Sequence, residues 1–207
     1  GERTAFASAR PAGQWTVCQS PAELVSALAR PRVVFLMITA GAPVDQVLEE
    51  LLGLLEPGDV VIDGGNSHYQ DTIRRCERAA KEGVEFLGVG VSGGEKGALE
   101  GPCKGWECCR ESLEAIAARA PDGGLCCGYV GPGGAGHYVK MVHNGIEYAL
   151  MQQLADVYGL MRDGMGLSAS AMAEVFEGWR TGPLASYLVD ITAAVLRKEE
   201  GGPLVDR

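Results

Sequence analysis

The sequence predicts an α/β chain, in which a parallel, doubly wound sheet domain is followed by the start of an all-helical domain. Two observations predict it. Between Ser20 and Val89, short β-branched runs alternate with amphipathic stretches, the pattern of strands joined by crossover helices. After Gly131 the pattern changes to one helix after another. Size agrees, since 207 residues at 46% hydrophobic content can bury one ordinary core and begin a second.

Ser20, Pro21 and Glu23 supply a capping hydroxyl, a helix-opening proline and a capping-box acid for a helix ending near Ala29. Arg32 to Ile38 reads as a buried strand. Pro43 opens a helix with apolar positions at Val44, Val47, Leu48, Leu51, Leu52 and Leu55, stopped by Pro57-Gly58. Val60 to Ile62 is the next strand, Tyr69 to Lys81 a helix and Phe86 to Val89 a third strand. Short links between these βα repeats make a doubly wound sheet the natural architecture. Further on, helices are expected over 135–162, 168–179 and 184–198. Gly201-Gly202-Pro203 then reads as a loop that leads onward, as in a fragment.

Composition narrows the function. A formal charge of -9 and a pI near 4.9 argue against a surface that neutralises nucleic-acid phosphates or sits on anionic lipid. The longest apolar run, Val33 to Ile38 with its small-residue extension, is far short of the roughly 20 residues that span a bilayer. Seven cysteines, two pairs of them adjacent (Cys108-Cys109 and Cys126-Cys127), do not form a secreted disulfide framework and fit a reducing cytoplasm. Cys103, Cys108 and Cys109 lack a C-x-x-C knuckle and a spaced histidine, so no metal site is expected.

Gly131-Pro132-Gly133-Gly134-Ala135-Gly136 satisfies G-x-G-x-x-G, but the long helix after it is not followed by a strand ending in an acidic ribose ligand. It reads as a tight strand-to-helix turn, with a pyrophosphate cradle as the lesser alternative.

The densest polar group is Lys140, His143, Asn144, Glu147 and Tyr148 on the helix that follows. With Lys140 as zero and about 100° per residue, these lie between about -60° and 80°. Met141, Val142, Gly145, Ile146 and Ala149 occupy the opposite arc, which is expected to face the core. Lys140 and Glu147 stand about 10 Å apart along the axis, right for flanking a six-carbon substrate. An amine base and a carboxylic acid are also the two groups needed to take a proton from a hydroxyl and return one to carbon. A solvated face with an incidental charge pair is the competing reading, but asparagine, histidine, glycine and tyrosine are poor helix formers for that purpose.

Three loops at strand ends complete the picture: Thr39-Ala40-Gly41, Gly64-Gly65-Asn66-Ser67 and Val91-Ser92-Gly93-Gly94-Glu95. Each alone could be a simple turn. Three on the carboxyl edge of one sheet favour a ligand site.

The segments IDGGNS, VSGGEKGA and GAGHYVKMVHNGIEY resemble, nearly letter for letter, the 6-phosphogluconate dehydrogenases, and the likeness runs from Arg3 to Arg207. The resemblance implies a partial NADP-binding Rossmann-like domain over 1–132 and, over 133–207, the first part of that family's helical C-terminal domain. It implies oxidative decarboxylation of 6-phosphogluconate to ribulose 5-phosphate with NADP reduction, the step of gluconate utilization in the pentose phosphate pathway, in a cytoplasmic homodimer that needs no metal. Lys140 would be the general base and Glu147 the acid. Ser92, Gly93, Gly94, His143 and Asn144 would hold the carboxylate and hydroxyls, and Tyr148 the phosphate. Asn66 would lie between cofactor and substrate; Ile38, Thr39 and Ala40 would line the nucleotide. Arg3, in a stretch with Thr4 similar to the family's Asn-Arg-Thr, would hold the 2′-phosphate.

The sequence also departs from the family. The opening strand and glycine-rich pyrophosphate turn are not in it, and Glu2 replaces the asparagine, which leaves NAD open beside NADP because a carboxylate repels a phosphate. Cys103 to Cys109 stands where the family has a strand and a Met-Pro-Gly-Gly turn, a change expected to disturb the sheet. The family's later phosphate ligands lie beyond Arg207. Weak or no turnover is therefore expected of this piece alone. The alternatives are a non-catalytic truncated homologue and a dehydrogenase for a smaller 3-hydroxy acid.

Overall fold

The computed structural model describes residues 16–91, 97–99, 103–120 and 122–206, with only the main chain of 97–99 and 103. The chain divides into two compact units, Gly1–Val142 and His143–Arg207.

In the first unit, α1 (Pro21–Ala27) starts where expected. The Ser20 hydroxyl accepts from the Glu23 N–H at 3.2 Å, and the Glu23 carboxylate accepts from the Gln19 N–H at 2.7 Å. Then follow β1 (Val33–Leu36), α2 (Ala42–Leu52), β2 (Val60–Asp63), α3 (Tyr69–Ala80), β3 (Glu85–Val91), β4 (Gly97–Leu99) and α4 (Cys103–Ile116). The sheet runs β1-β2-β3-β4. Its first three strands are parallel, with Val34 beside Val61 and Val61 beside Phe86. β4 pairs antiparallel with β3, Val91 opposite Gly97, a strand the sequence pattern did not predict.

Alternation along the strands sends side chains to two cores. Val34, Leu36, Val61 and Phe86 meet Val44, Leu48, Leu51 and Ala79 of α2 and α3. Val60, Ile62, Leu87 and Val89 meet Trp106, Cys109 and Leu113 of α4. Helices thus cover both faces, as a parallel sheet requires.

Two expectations need correction. The first strand stops at Leu36, and Met37 (65% exposed) and Ile38 (37%) lie beyond the ladder at its carboxyl edge. The Cys103–Cys109 segment does not disturb the sheet. It opens a helix whose Gly105, Trp106, Cys109 and Leu113 share one face, and a Cβ on Gly105 would overlap the Leu87 side chain, so the glycine lets α4 press onto β3.

The long helix α5 (Ala135–Gly159) ends in a π-helical turn, Leu160–Gly164, in which the Met165 N–H donates to the Leu160 carbonyl at 3.1 Å. In the second unit, Leu154, Val157, Tyr158 and Met161 pack against Met172, Ala173 and Phe176 of α6 (Ala169–Trp179) and Val189, Ala193 and Leu196 of α7 (Tyr187–Arg197). Ser168 and Ser186 cap α6 and α7. Among the described residues no helix is long and apolar enough to cross a membrane.

Candidate functional site

The loops after β1 and β2 are held together by one buried arginine. Arg75, on α3, has no exposed side-chain surface. Its Nη2 donates to the Gly41 carbonyl (3.0 Å) and its Nε to Asp45 Oδ1 (2.8 Å), both beside the first loop. Its Nη1 donates to Ser67 Oγ (3.2 Å) and to Asp63 Oδ2 (3.4 Å) in the second. Asp63 is itself buried, and it accepts from the Ser67 hydroxyl (2.6 Å) and the Gly65 N–H (3.0 Å). The Arg75 guanidinium foremost, with Arg74 adding, holds the Asp45 carboxyl below the usual range against the opposing effect of burial. Gly41, at φ 91°, makes the sharp entry into α2.

This frame leaves other side chains of the loops free to meet a ligand. Thr39 and Asn66 are exposed, Ala40 is half-buried and Ile38 presents an apolar surface beside them. A Cβ on Gly64 would strike the Phe35 ring at 2.6 Å, and one on Gly65 would come within 3.1 Å of the Ile38 carbonyl, so the two loops approach closely. An apolar ledge beside hydroxyl and amide groups on the carboxyl edge of a parallel sheet fits a nicotinamide nucleotide.

The glycine-rich turn serves the start of α5. Gly131 and Gly133 take positive φ, and a Cβ on Gly134 would overlap the Tyr69 carbonyl, so the helix begins pressed onto α3. The Tyr69 and Tyr138 rings meet edge to face with centroids 5.3 Å apart. His137 is 1% exposed, and its Nδ1 lies 2.6 Å from the Thr72 hydroxyl. Burial, opposed by the charge of Asp63, pushes its pKa below the ordinary imidazole value and keeps it neutral. The segment therefore packs as a turn, with its glycines meeting protein.

Lys140 lies one turn further along in the first unit, half-buried; His143, Asn144, Glu147 and Tyr148 follow on the same helix in the second. The His143 ring sits over its neighbours, with Nδ1 3.3 Å from Asn144 Oδ1 and 3.8 Å from Glu147 Oε2. Tyr148 is 71% exposed. The opposite arc does not face a core: Met141 and Val142 are 42% exposed, Ile146 59%, and Gly145 and Ala149 are exposed as well. Lys140, Asn144 and Glu147 are less exposed than that arc. Periodicity identified which side chains share a face but not which face is covered.

Arg3, Thr4, Ser92, Gly93 and Gly94 lie outside the described residues. Among those described, no group of three or more histidine, cysteine or acidic side chains is placed to hold a metal. Sequence reasoning missed Asp63, Thr72, Arg75 and His137. Asp63 and Ser67 sit at an i,i+4 spacing within the IDGGNS segment, and that was the available signal.

Comparisons with known proteins now decide the family. The family model described as the NAD binding domain of 6-phosphogluconate dehydrogenase matches residues 2–131, and that of the 6-phosphogluconate dehydrogenase C-terminal domain matches residues 136–207. The chain belongs to the 6-phosphogluconate dehydrogenase family. It is 52% identical over 201 residues to the decarboxylating 6-phosphogluconate dehydrogenase of Treponema pallidum, covering 93% of this chain and 41% of that protein. It is 50% identical to an NAD(+)-dependent decarboxylating relative from Bacillus subtilis, covering 89% and 41%. The Plasmodium falciparum 6-phosphogluconate dehydrogenase structure, described as apo and in complex with NADP+ and with 6-phosphogluconate, superposes with a TM-score of 0.83 at 39% identity, covering 89% of this chain and 42% of that one. The chain thus spans about two fifths of the length of the relatives it matches.

Proposed function

We propose that the full-length protein oxidises and decarboxylates 6-phosphogluconate to ribulose 5-phosphate in the cytoplasm, as a homodimer, with NADP as electron acceptor. NAD is the alternative that Glu2 and the Bacillus relative keep open. The observation that supports it best is α5 itself, one unbroken helix bearing Lys140, His143, Asn144, Glu147 and Tyr148 directly after a first turn fixed to α3. On this reading residues 1–132 bind nucleotide and 133–207 begin the helical substrate domain.

Ile38, Thr39, Ala40 and Asn66 hold the nicotinamide nucleotide, which when bound accepts the hydride. Arg3 takes the 2′-phosphate, with Thr4 next to it in sequence as a further nucleotide contact. Lys140 Nζ, as free amine, takes the proton of the substrate's third hydroxyl as hydride leaves the same carbon. The product is a ketone β to the carboxylate. Protonated Lys140 then donates to the ketone oxygen, which receives the electron pair as the carbon–carboxylate bond breaks and carbon dioxide departs. Glu147 delivers a proton to the first carbon of the enediol while Lys140 Nζ takes the enol hydroxyl's proton as the ketone reforms; the ammonium and carboxylate so formed reset by net transfer of one proton from Lys140 to Glu147. Ser92, Gly93, Gly94, His143 and Asn144 orient the carboxylate and hydroxyls, and Tyr148 the phosphate.

Lys140→Ala in the full-length protein is expected to lower kcat for NADP reduction by about 10²–10⁴-fold, the range for losing a positioned base. Rates equal to wild type with 6-phosphogluconate would remove Lys140 from this role. A substrate panel in which non-phosphorylated 3-hydroxy acids turn over faster would instead favour the smaller-acid dehydrogenase.

A further inference from the structure

We propose that His137 is a positioning residue, which joins the first turn of the helix bearing Lys140 to the loop bearing Asn66 and has Thr72 as its fixed partner. It rests on the functional reading above only for its effect on turnover. Three observations within the first unit carry it. The ring is closed off from solvent and sits one turn before Lys140, on the side of α5 pressed against α3. Space has been cleared for it, since a Cβ on Gly88 of β3 would stand 2.7 Å from Nδ1 and 2.6 Å from the Thr72 methyl. Its Nε2 is buried and without a hydrogen-bond partner among the described residues.

The two nitrogens are then assigned by chemistry. A neutral imidazole offers one donor and one acceptor. The Thr72 hydroxyl has two acceptors in reach, the His68 carbonyl at 3.4 Å and His137 Nδ1 at 2.6 Å. In the proposed tautomer Thr72 donates to Nδ1 over the shorter contact and the ring proton resides on Nε2, where it can serve an acceptor. The main-chain carbonyls of Gly65 and Asp63 lie by the ring, acceptors on the two residues that flank Gly64 in the Asn66 loop. On the proposal, the Nε2 proton is given to one of these carbonyls, which ties the loop to α3 and to the start of α5. The charged groups facing the ring are Asp63 and Arg75. Arg75 holds the same loop through side chains, while His137 faces its main chain; removing one leaves the other in place.

The test is hydrogen–deuterium exchange together with steady-state kinetics on the full-length protein. In His137→Leu and Thr72→Val, exchange over 64–67 is expected to speed up about tenfold, the factor that one lost buried hydrogen bond represents, with 60–62 unchanged. His137→Gln, which keeps a donor near Nε2, and Thr72→Ser, which keeps the hydroxyl, should stay close to wild type. In the first pair kcat should fall about tenfold with little change in KM, the signature of lost alignment rather than lost binding. Unchanged exchange over 64–67, or a uniform rise across β1, β2 and β3, would overturn the proposal, the second outcome marking a role in general stability only. If His137→Leu does not fold, Thr72→Val against Thr72→Ser distinguishes the same outcomes. If the wild-type protein does not reduce NADP with 6-phosphogluconate, the functional reading falls and the exchange rates alone decide the role of His137.

Discussion

A guanidinium with no exposed surface must find acceptors within the protein, and each of the three Arg75 nitrogens does, among Gly41, Asp45, Asp63 and Ser67. Taking away one member of such a group strands the others in a low-dielectric interior. Arg75→Ala is therefore expected to lower stability by about 3–5 kcal/mol in urea unfolding. Arg75→Lys should recover only part, because an ammonium cannot serve acceptors in a planar fork. Beyond the i,i+4 spacing of Asp63 and Ser67, this group was not legible in the sequence. A basic residue on a strongly polar helix reads as solvated, and its partners lie 8 to 34 positions away. Lys140, His143, Asn144 and Glu147 could be read because helical spacing alone places them together.

At the scale of the element, β1, β2, β3, α2 and α3 followed from β-branched runs, prolines and caps, which act over a few residues. α4 and β4 did not. Glycine, tryptophan and paired cysteines at Gly105 to Cys109 carry no clear helical period until the second sheet face is there to receive them. That packing has a chemical consequence. Burial, with Cys108 nearby, pushes the Cys109 thiol up to about 11, whereas Cys108 is exposed. A maleimide reagent at neutral pH should label Cys108 and spare Cys109 until the chain unfolds, as peptide mass mapping would register. Trp106→Ala should cost about 3–5 kcal/mol, since it empties the centre of that face.

Over the whole molecule, acid sensitivity tests how the first turn of α5 packs on α3 within the first unit. His137 is held neutral, so between about pH 6.5, the ordinary imidazole value, and its lower folded value the unfolded chain binds a proton that the folded one does not. Its contribution is full above about 6.5 and declines as pH falls, by at most about 1.4 kcal/mol per unit. The difference in unfolding free energy between wild type and His137→Gln should shrink over that window. The arginine frame bears on how such a protein can change over time. Arg75 grips Gly41, Asp45, Asp63 and Ser67, and none of these is among the proposed nucleotide contacts Ile38, Thr39, Ala40 and Asn66. Substitutions at the contact positions leave the clamp untouched, so preference between two dinucleotides can drift across lineages at almost no cost to folding.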